Sequence, residues 1–196
     1  MLNPTTSGRA GYQFHTTDNY SFYLNVGSLA DLSKLMKDSV WFWNDIYAHP
    51  NYDKFWQSRN TRSAVQHIPS GVATLVVGGL FDAEDCYGAW SLYKSIEQKA
   101  RNNNKLVMGP WSHGGWSRGT GEFLGNIRFG SKTSELYQKQ LEIPFFDHYL
   151  LGKGSETGIA EATVFLTGSN KWKSFSQWPP VNSDATPYYL NADGSI

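Results

Sequence analysis

A mixed α/β fold built around parallel strands is what this 196-residue chain predicts, and three observations carry that expectation. The run Val72-Ala73-Thr74-Leu75-Val76-Val77 is uncharged and β-rich, as a strand covered on both faces would be. Lys105-Leu106-Val107-Met108 reads as a second such strand, and the segment between the two has room for one helix. A crossover of that length makes the strands parallel, so their carboxyl ends share one edge. The third observation is what stands at that edge. The first run closes on Gly79-Leu80-Phe81-Asp82 and the second on Gly109-Pro110-Trp111-Ser112-His113, placing an acid and an imidazole where open α/β sheets bind their ligands.

The remaining elements follow along the chain. Residues 1 to about 11 are rich in Gly, Ser and Thr and read as loop. Ser28-Leu29-Ala30-Asp31 resembles a capping box, and Leu32, Leu35, Met36, Val40, Trp43 and Ile46 recur at helical spacing, which predicts one helix to about Ala48, stopped by Pro50. A short helix is expected from Tyr52 to Arg59. After Asp82, the stripe Cys86, Ala89, Tyr93, Ile96 and Ala100 predicts that one face of the crossover helix packs on the sheet, with Asp85 as its cap. A glycine-dense loop follows His113. A last helix spans about Thr133 to Leu151, bent by Pro144, and Gly152 and Gly154 mark a boundary. Beyond it, Ala162–Leu166, Trp172–Phe175 and Tyr188–Leu190 read as short strands, the first two joined by a turn at Gly168-Ser169-Asn170.

Composition excludes more than it selects. Lys+Arg and Asp+Glu both number 17, so there is no net field, and no basic stripe interleaved with aromatics appears; nucleic acid is not an expected partner. No apolar run approaches the roughly 20 residues of a membrane span, and Met1 opens onto no signal-peptide pattern. Cys86 is the single cysteine, so no intrachain disulfide forms. As a nucleophile it is disfavoured, because Asp82, Glu84 and Asp85 oppose a thiolate and it lies on the apolar stripe. His49, His67, Asp53 and Glu84 show no metal-ligand spacing. The eight tryptophans fit either an aromatic-lined cleft or aromatic packing.

An Asp and then a His, each on the turn after neighbouring strands, match the acid and base of an α/β-hydrolase triad, whose nucleophile comes first in the chain. Upstream of Asp82 no serine has glycines two positions to each side, so the nucleophile elbow is not found there. The reading is therefore of a carboxyl-side part of something longer. Gly79-Leu80-Phe81-Asp82-Ala83-Glu84-Asp85, Gly109-Pro110-Trp111-Ser112-His113 and His49-Pro50-Asn51-Tyr52-Asp53-Lys54-Phe55-Trp56 together resemble the cocaine-esterase-like (CocE/NonD) hydrolases. That group includes the α-amino-acid ester hydrolases, the glutaryl-cephalosporin acylase-like proteins and, more remotely, the X-Pro dipeptidyl peptidases.

The resemblance implies residues 1–68 as the end of a helical cap, 69–156 as the carboxyl-side part of an α/β-hydrolase domain, and 157–196 as the first strands of a β jelly roll. It implies a serine acyl hydrolase of esters or amides, inactive without the missing serine and oxyanion hole, with no cofactor and no metal. Its partners would be a small-molecule ester or amide and the rest of the hydrolase chain, with a periplasmic or secreted setting and a homo-oligomer both left open. Asp82 would be the triad acid, with Asp85 as its rival, and His113 the base. Asp53 and Glu84 would contribute to substrate binding, Asp53 as part of a carboxylate group that receives a substrate ammonium; helix capping or pairing with Lys54 or Arg59 is the alternative for Asp53. The rival from another class is a non-catalytic binding module with an aromatic ligand surface.

Overall fold

The computed structural model describes residues 15–37, 39–40, 42–155, 158–192 and 194, and the loop expected before residue 11 lies outside them. The chain divides into two compact units, one up to Asn60 and one from Thr61.

The first unit is helical, with α1 (Asn19–Val26), α2 (Leu29–Met36), α3 (Trp43–Ala48) and α4 (Lys54–Gln57). The capping box forms with a variation. The Ser28 hydroxyl receives the Asp31 N–H at 3.3 Å, but it also donates to the Asp31 carboxylate at 2.6 Å, so the acid reaches the cap's side chain rather than its backbone. The single long helix expected to Ala48 is instead two. Lys37 takes φ 49°, the Ser39 hydroxyl donates to the Met36 carbonyl, and Trp43 Nε1 donates to Ser33 Oγ at 2.6 Å, which folds α3 back on α2. The stripe is inward only in part: Leu32 and Met36 of α2 are buried, whereas Leu35 and, on α3, Ile46 are exposed.

The second unit holds β1 (Thr74–Gly79), α5 (Cys86–Lys99), β2 (Asn104–Gly109), the two-residue strands β3 (Phe123–Leu124) and β4 (Ile127–Arg128), α6 (Thr133–Tyr137), α7 (Ile143–Leu151), β5 (Ala162–Leu166) and β6 (Lys171–Phe175). The main sheet runs β1-β2-β5-β6, with β1, β2 and β5 parallel and β6 antiparallel to β5. Side chains alternate across it. Val76, Leu106 and Met108 join Tyr93 and Ile96 of α5 in one core cluster, whereas Val107 packs on the opposite face with Tyr137, Leu141 and Phe145. Helices thus cover both faces, which explains why these strands carry uninterrupted apolar runs. From α6 to α7 the helix is continuous through a π turn at Gln138–Glu142, where the Ile143 N–H bonds to the Gln138 carbonyl just before Pro144. The wider turn accommodates the residue that has no N–H to give.

Two expected domain limits move. The first falls at Asn60 rather than 68, because Val65 and Ile68 belong to the core cluster under α5. At the second, β5 pairs with β2 and β6 with β5, so the strands that follow residue 157 extend the main sheet. Ala162, Thr163, Val164 and Phe165 are all buried, and a strand buried on both faces needs the same two covering layers as β1 and β2. Tyr188–Leu190, expected as a strand, is exposed and irregular. Much of the aromatic richness serves packing: buried Trp111 contacts the rings of Trp116, Tyr137 and Trp172.

Candidate active site

Register brings the acid and the imidazole together. β1 and β2 run level, Gly79 opposite Gly109, and beyond the strands two more backbone bonds stitch the loops: Leu80 N–H to Gly109 O at 2.8 Å and Phe81 N–H to Trp111 O at 3.0 Å. A side chain on Gly79 would overlap the Trp111 carbonyl, so glycine is what permits this approach. Trp111 anchors the second loop from below, its Nε1 donating to Thr133 Oγ1 at 2.9 Å. The chain then turns sharply at Gly114, whose φ of 68° suits glycine, and Gly115 N–H returns to the Ser112 carbonyl.

Asp82 Oδ2 lies 3.0 Å from Nδ1 of His113. The Asp82 side chain is 1% exposed and that of His113 51%. The other carboxylate oxygen, Oδ1, accepts the N–H groups of Glu84 at 2.9 Å and Asp85 at 3.0 Å. Burial opposes the charge on Asp82, but the Asp85 and Glu84 N–H donors and then the His113 ring outweigh it and hold the carboxyl below its usual range. Asp82 is therefore an ionised acceptor at neutral pH. In the neutral tautomer that fits this acceptor, Nδ1 of His113 carries the hydrogen between them and Nε2 has the lone pair.

Asp85 stands at the N-terminal boundary of α5 but makes no side-chain cap, contrary to expectation. Asp82 accepts the Glu84 and Asp85 N–H groups that lead into the helix, and the Asp85 and Glu84 carboxylates turn toward His113 Nδ1, at 3.5 Å and 3.6 Å. Both are well exposed, so only Asp82 combines the shortest distance with burial. Asp82, Asp85 and His113 could together offer three donor atoms to an ion, within 4.8 Å of one another, but two of the three are exposed and acidic groups commonly cluster so without one. His113 lines two depressions. One, of about 810 Å³, runs along β1 and α5 past Val76, Ala89 and Leu92; the other, of about 330 Å³, is bounded by Trp111, Ser112, Arg118 and Glu122.

Asp53 lies in the helical unit. It caps α4 by accepting the Phe55 N–H at 2.9 Å, and it meets His49 Nδ1 at 2.6 Å. The His49 contact and the Phe55 N–H hold its carboxyl below the usual range against some burial. Arg59, weighed as its ion-pair partner, instead stacks over the Phe55 ring at 3.5 Å. Cys86 sits half-buried against the core under α5, as its stripe position predicts.

The chain does hold one glycine-flanked serine, downstream of Asp82 rather than upstream. Gly115-Trp116-Ser117-Arg118-Gly119 spells Gly-x-Ser-x-Gly after the histidine. It is not a nucleophile elbow. Gly115–Ser117 forms a 3₁₀ turn, with neither an entering strand nor a following helix, and the Ser117 hydroxyl donates to the Gly114 carbonyl at 3.0 Å.

The chain has relatives among known proteins. The family profile described as X-Pro dipeptidyl-peptidase (S15 family) matches residues 13–115, just over half of the chain, and includes both strand-end turns. The chain belongs to the S15 family. Cocaine esterase of Rhodococcus sp. (strain MB1 Bresler) is 28% identical over 176 residues, which are 87% of this chain and 29% of the esterase. Among solved structures, an aminopeptidase from a marine sediment Thaumarchaeota archaeon superposes with a TM-score of 0.83 at 33% identity, covering 93% of this chain and 30% of that one. An α-amino acid ester hydrolase superposes with a TM-score of 0.77 at 31% identity, covering 87% and 28%. The chain spans less than a third of the length of these relatives.

Proposed function

We propose that this S15 chain supplies the acid and the base of a serine hydrolase that cleaves ester or amide bonds through an acyl-enzyme. The observation that carries the proposal is the 3.0 Å contact between a buried, ionised Asp82 and His113 Nδ1 at the carboxyl edge of the sheet. In this reading Nε2 of His113 takes the proton from a serine hydroxyl as the oxygen attacks the acyl carbon, then delivers it to the leaving alcohol or amine. Water repeats the sequence to release the acid. Asp82 keeps the ring in the tautomer that leaves Nε2 free and stabilises the imidazolium formed at each transfer.

The serine and the oxyanion hole come from a segment beyond these residues, so residues 1–196 by themselves do not turn over substrate. Candidate substrates are α-amino acid esters, β-lactam side-chain amides and X-Pro peptides. A role for Asp53 in receiving a substrate ammonium requires it to leave His49; Glu84, facing Nδ1, sits on the side of the ring away from the reacting nitrogen. The test is burst kinetics with a p-nitrophenyl ester on the complete enzyme. An acyl-enzyme burst that disappears in His113→Ala is expected; a burst of undiminished rate in that variant would remove His113 from the mechanism.

A further inference from the structure

The smaller depression beside His113 contains a cation that no part of the mechanism uses. Arg118 lies on the loop that follows the histidine and makes no side-chain hydrogen bond or ion pair among the described residues. Arg118 is exposed, yet its guanidinium stays close to the backbone. It folds back over Gly114, so that the three atoms nearest to where a Gly114 Cβ would stand are all guanidinium atoms, at 2.5 to 3.3 Å from that point. Glycine at 114 therefore does two things: it takes the left-handed turn, and it leaves room for the guanidinium directly beside the residue that carries the imidazole.

We propose that Arg118 is a specificity-determining residue that binds a carboxylate on the substrate. The proposal rests on the hydrolase reading and names a substrate class within it: esters or amides bearing a free carboxylate close to the scissile bond. A guanidinium offers five fixed N–H donors that match a carboxylate in pairs, and those of Arg118 are uncommitted. The 330 Å³ depression connects it to His113 through Ser112 and Gly115, so a substrate whose reacting carbonyl lies at the imidazole can place a substituent at Arg118.

The charge layout favours the same polarity. The acids Asp82, Glu84 and Asp85 face His113 on its Nδ1 side, from the loop between β1 and α5. Arg118 stands in the depression on the following loop, where Glu122 is the one acid and is not ion-paired to it. A carboxylate placed there meets a cation and stays clear of the acidic group. The same chemistry can come from either half of a substrate: the acyl part, as in a dicarboxylic acid mono-ester, or the leaving part, as in a peptide with a free carboxyl terminus.

Two measurements test this. In the complete enzyme, kcat/KM is compared for matched pairs, a mono-p-nitrophenyl glutarate against p-nitrophenyl butyrate for the acyl half, and an acyl-glycine against its methylamide for the leaving half. In Arg118→Met the anionic-to-neutral ratio falls about tenfold for whichever half reaches the guanidinium, the order of one charged hydrogen-bonded contact. Arg118→Lys retains part of it, since the charge stays but the paired donors are lost. A ratio unchanged in Arg118→Met for both pairs overturns the proposal. The second measurement needs no turnover: N-acetylglycine is titrated into the protein and followed by amide NMR shifts at Gly114–Gly119, with its methylamide as control. Saturable shifts for the acid that vanish in Arg118→Met support the site even if hydrolysis is never seen, whereas equal shifts for acid and methylamide refute it.

Discussion

Two Asp–His hydrogen bonds stand among the described residues, and they are built in opposite ways. His49 and Asp53 are four residues apart at a helix start, 2.6 Å between nitrogen and oxygen, with both side chains at least a third exposed. Asp82 and His113 come from turns after different strands, at a longer 3.0 Å, with the acid's side chain almost wholly removed from water. The shorter contact is the local one. It arises from the α4 cap and can rearrange with the side chains alone. The longer one is held by strand register, two loop-to-loop backbone bonds and two N–H donors on Asp82 Oδ1, so the imidazole finds its acceptor already in place. Preorganisation, rather than distance, marks the pair suited to catalysis.

The strongest way to break that contrast is mutational kinetics on the complete enzyme. His113→Ala is expected to lower kcat by several orders of magnitude, and Asp82→Asn by on the order of 10⁴ through the wrong ring tautomer, following the protease precedent. His49→Ala should cost little on simple esters, and Asp53→Asn should raise KM selectively for substrates with a free α-amine. Crippled turnover of simple esters in Asp53→Asn, with normal turnover in Asp82→Asn, would reverse the two roles.

The scaffold under the buried pair gives the next effect. Trp111→Ala empties the centre of an aromatic cluster and should cost about 3–5 kcal/mol in denaturant unfolding, while Gly109→Ala, whose Cβ would collide with the Trp111 indole, should cost about 1–3 kcal/mol. No comparable penalty is expected at Phe55 beneath His49. Asp85→Asn sharpens the comparison within the site. Exposed and 3.5 Å from Nδ1, it should lower kcat less than about tenfold, a loss further reduced in high salt.

The smallest effect is on stability against pH. Asp82 and Asp53 both have folded carboxyl groups below the ordinary value of 3.8, so each contributes stability that is complete above about pH 4 and lost as pH falls through the folded value. Asp31, lowered to about 2 by its Ser28 and Lys34 partners, should behave likewise, keeping its cap charged until about pH 2. Urea midpoints measured from pH 6 to pH 2 should fall with acidification, and each Asp→Asn variant should flatten its own share. A midpoint that rises on acidification would contradict all three assignments.

Much of this was legible in the chain. The apolar runs before Asp82 and His113, the stripe on α5 and the Ser28 cap are local patterns whose physical cause is local, and they appear where they were read. The misreadings share a different cause. The helix break after Met36, the side-chain role of Asp85 and the placement of β5 and β6 were each decided by a group distant in sequence: Trp43 on Ser33, His113 beside Asp85, β2 beside β5. Ala162–Leu166 did carry a usable sign, since it lacks the alternation of a strand with one wet face.

By itself, then, the sequence determined on which kind of element the acids and the imidazole stand. Period, apolar runs and turn glycines are properties of a few consecutive residues, and they place Asp82 and His113 at strand ends. Only the tertiary structure decided between Asp82, Glu84 and Asp85 as partner of the imidazole. Three acids within four residues are equivalent in composition. They differ in which one is buried and supplied with N–H donors, and that depends on two loops meeting across the sheet edge.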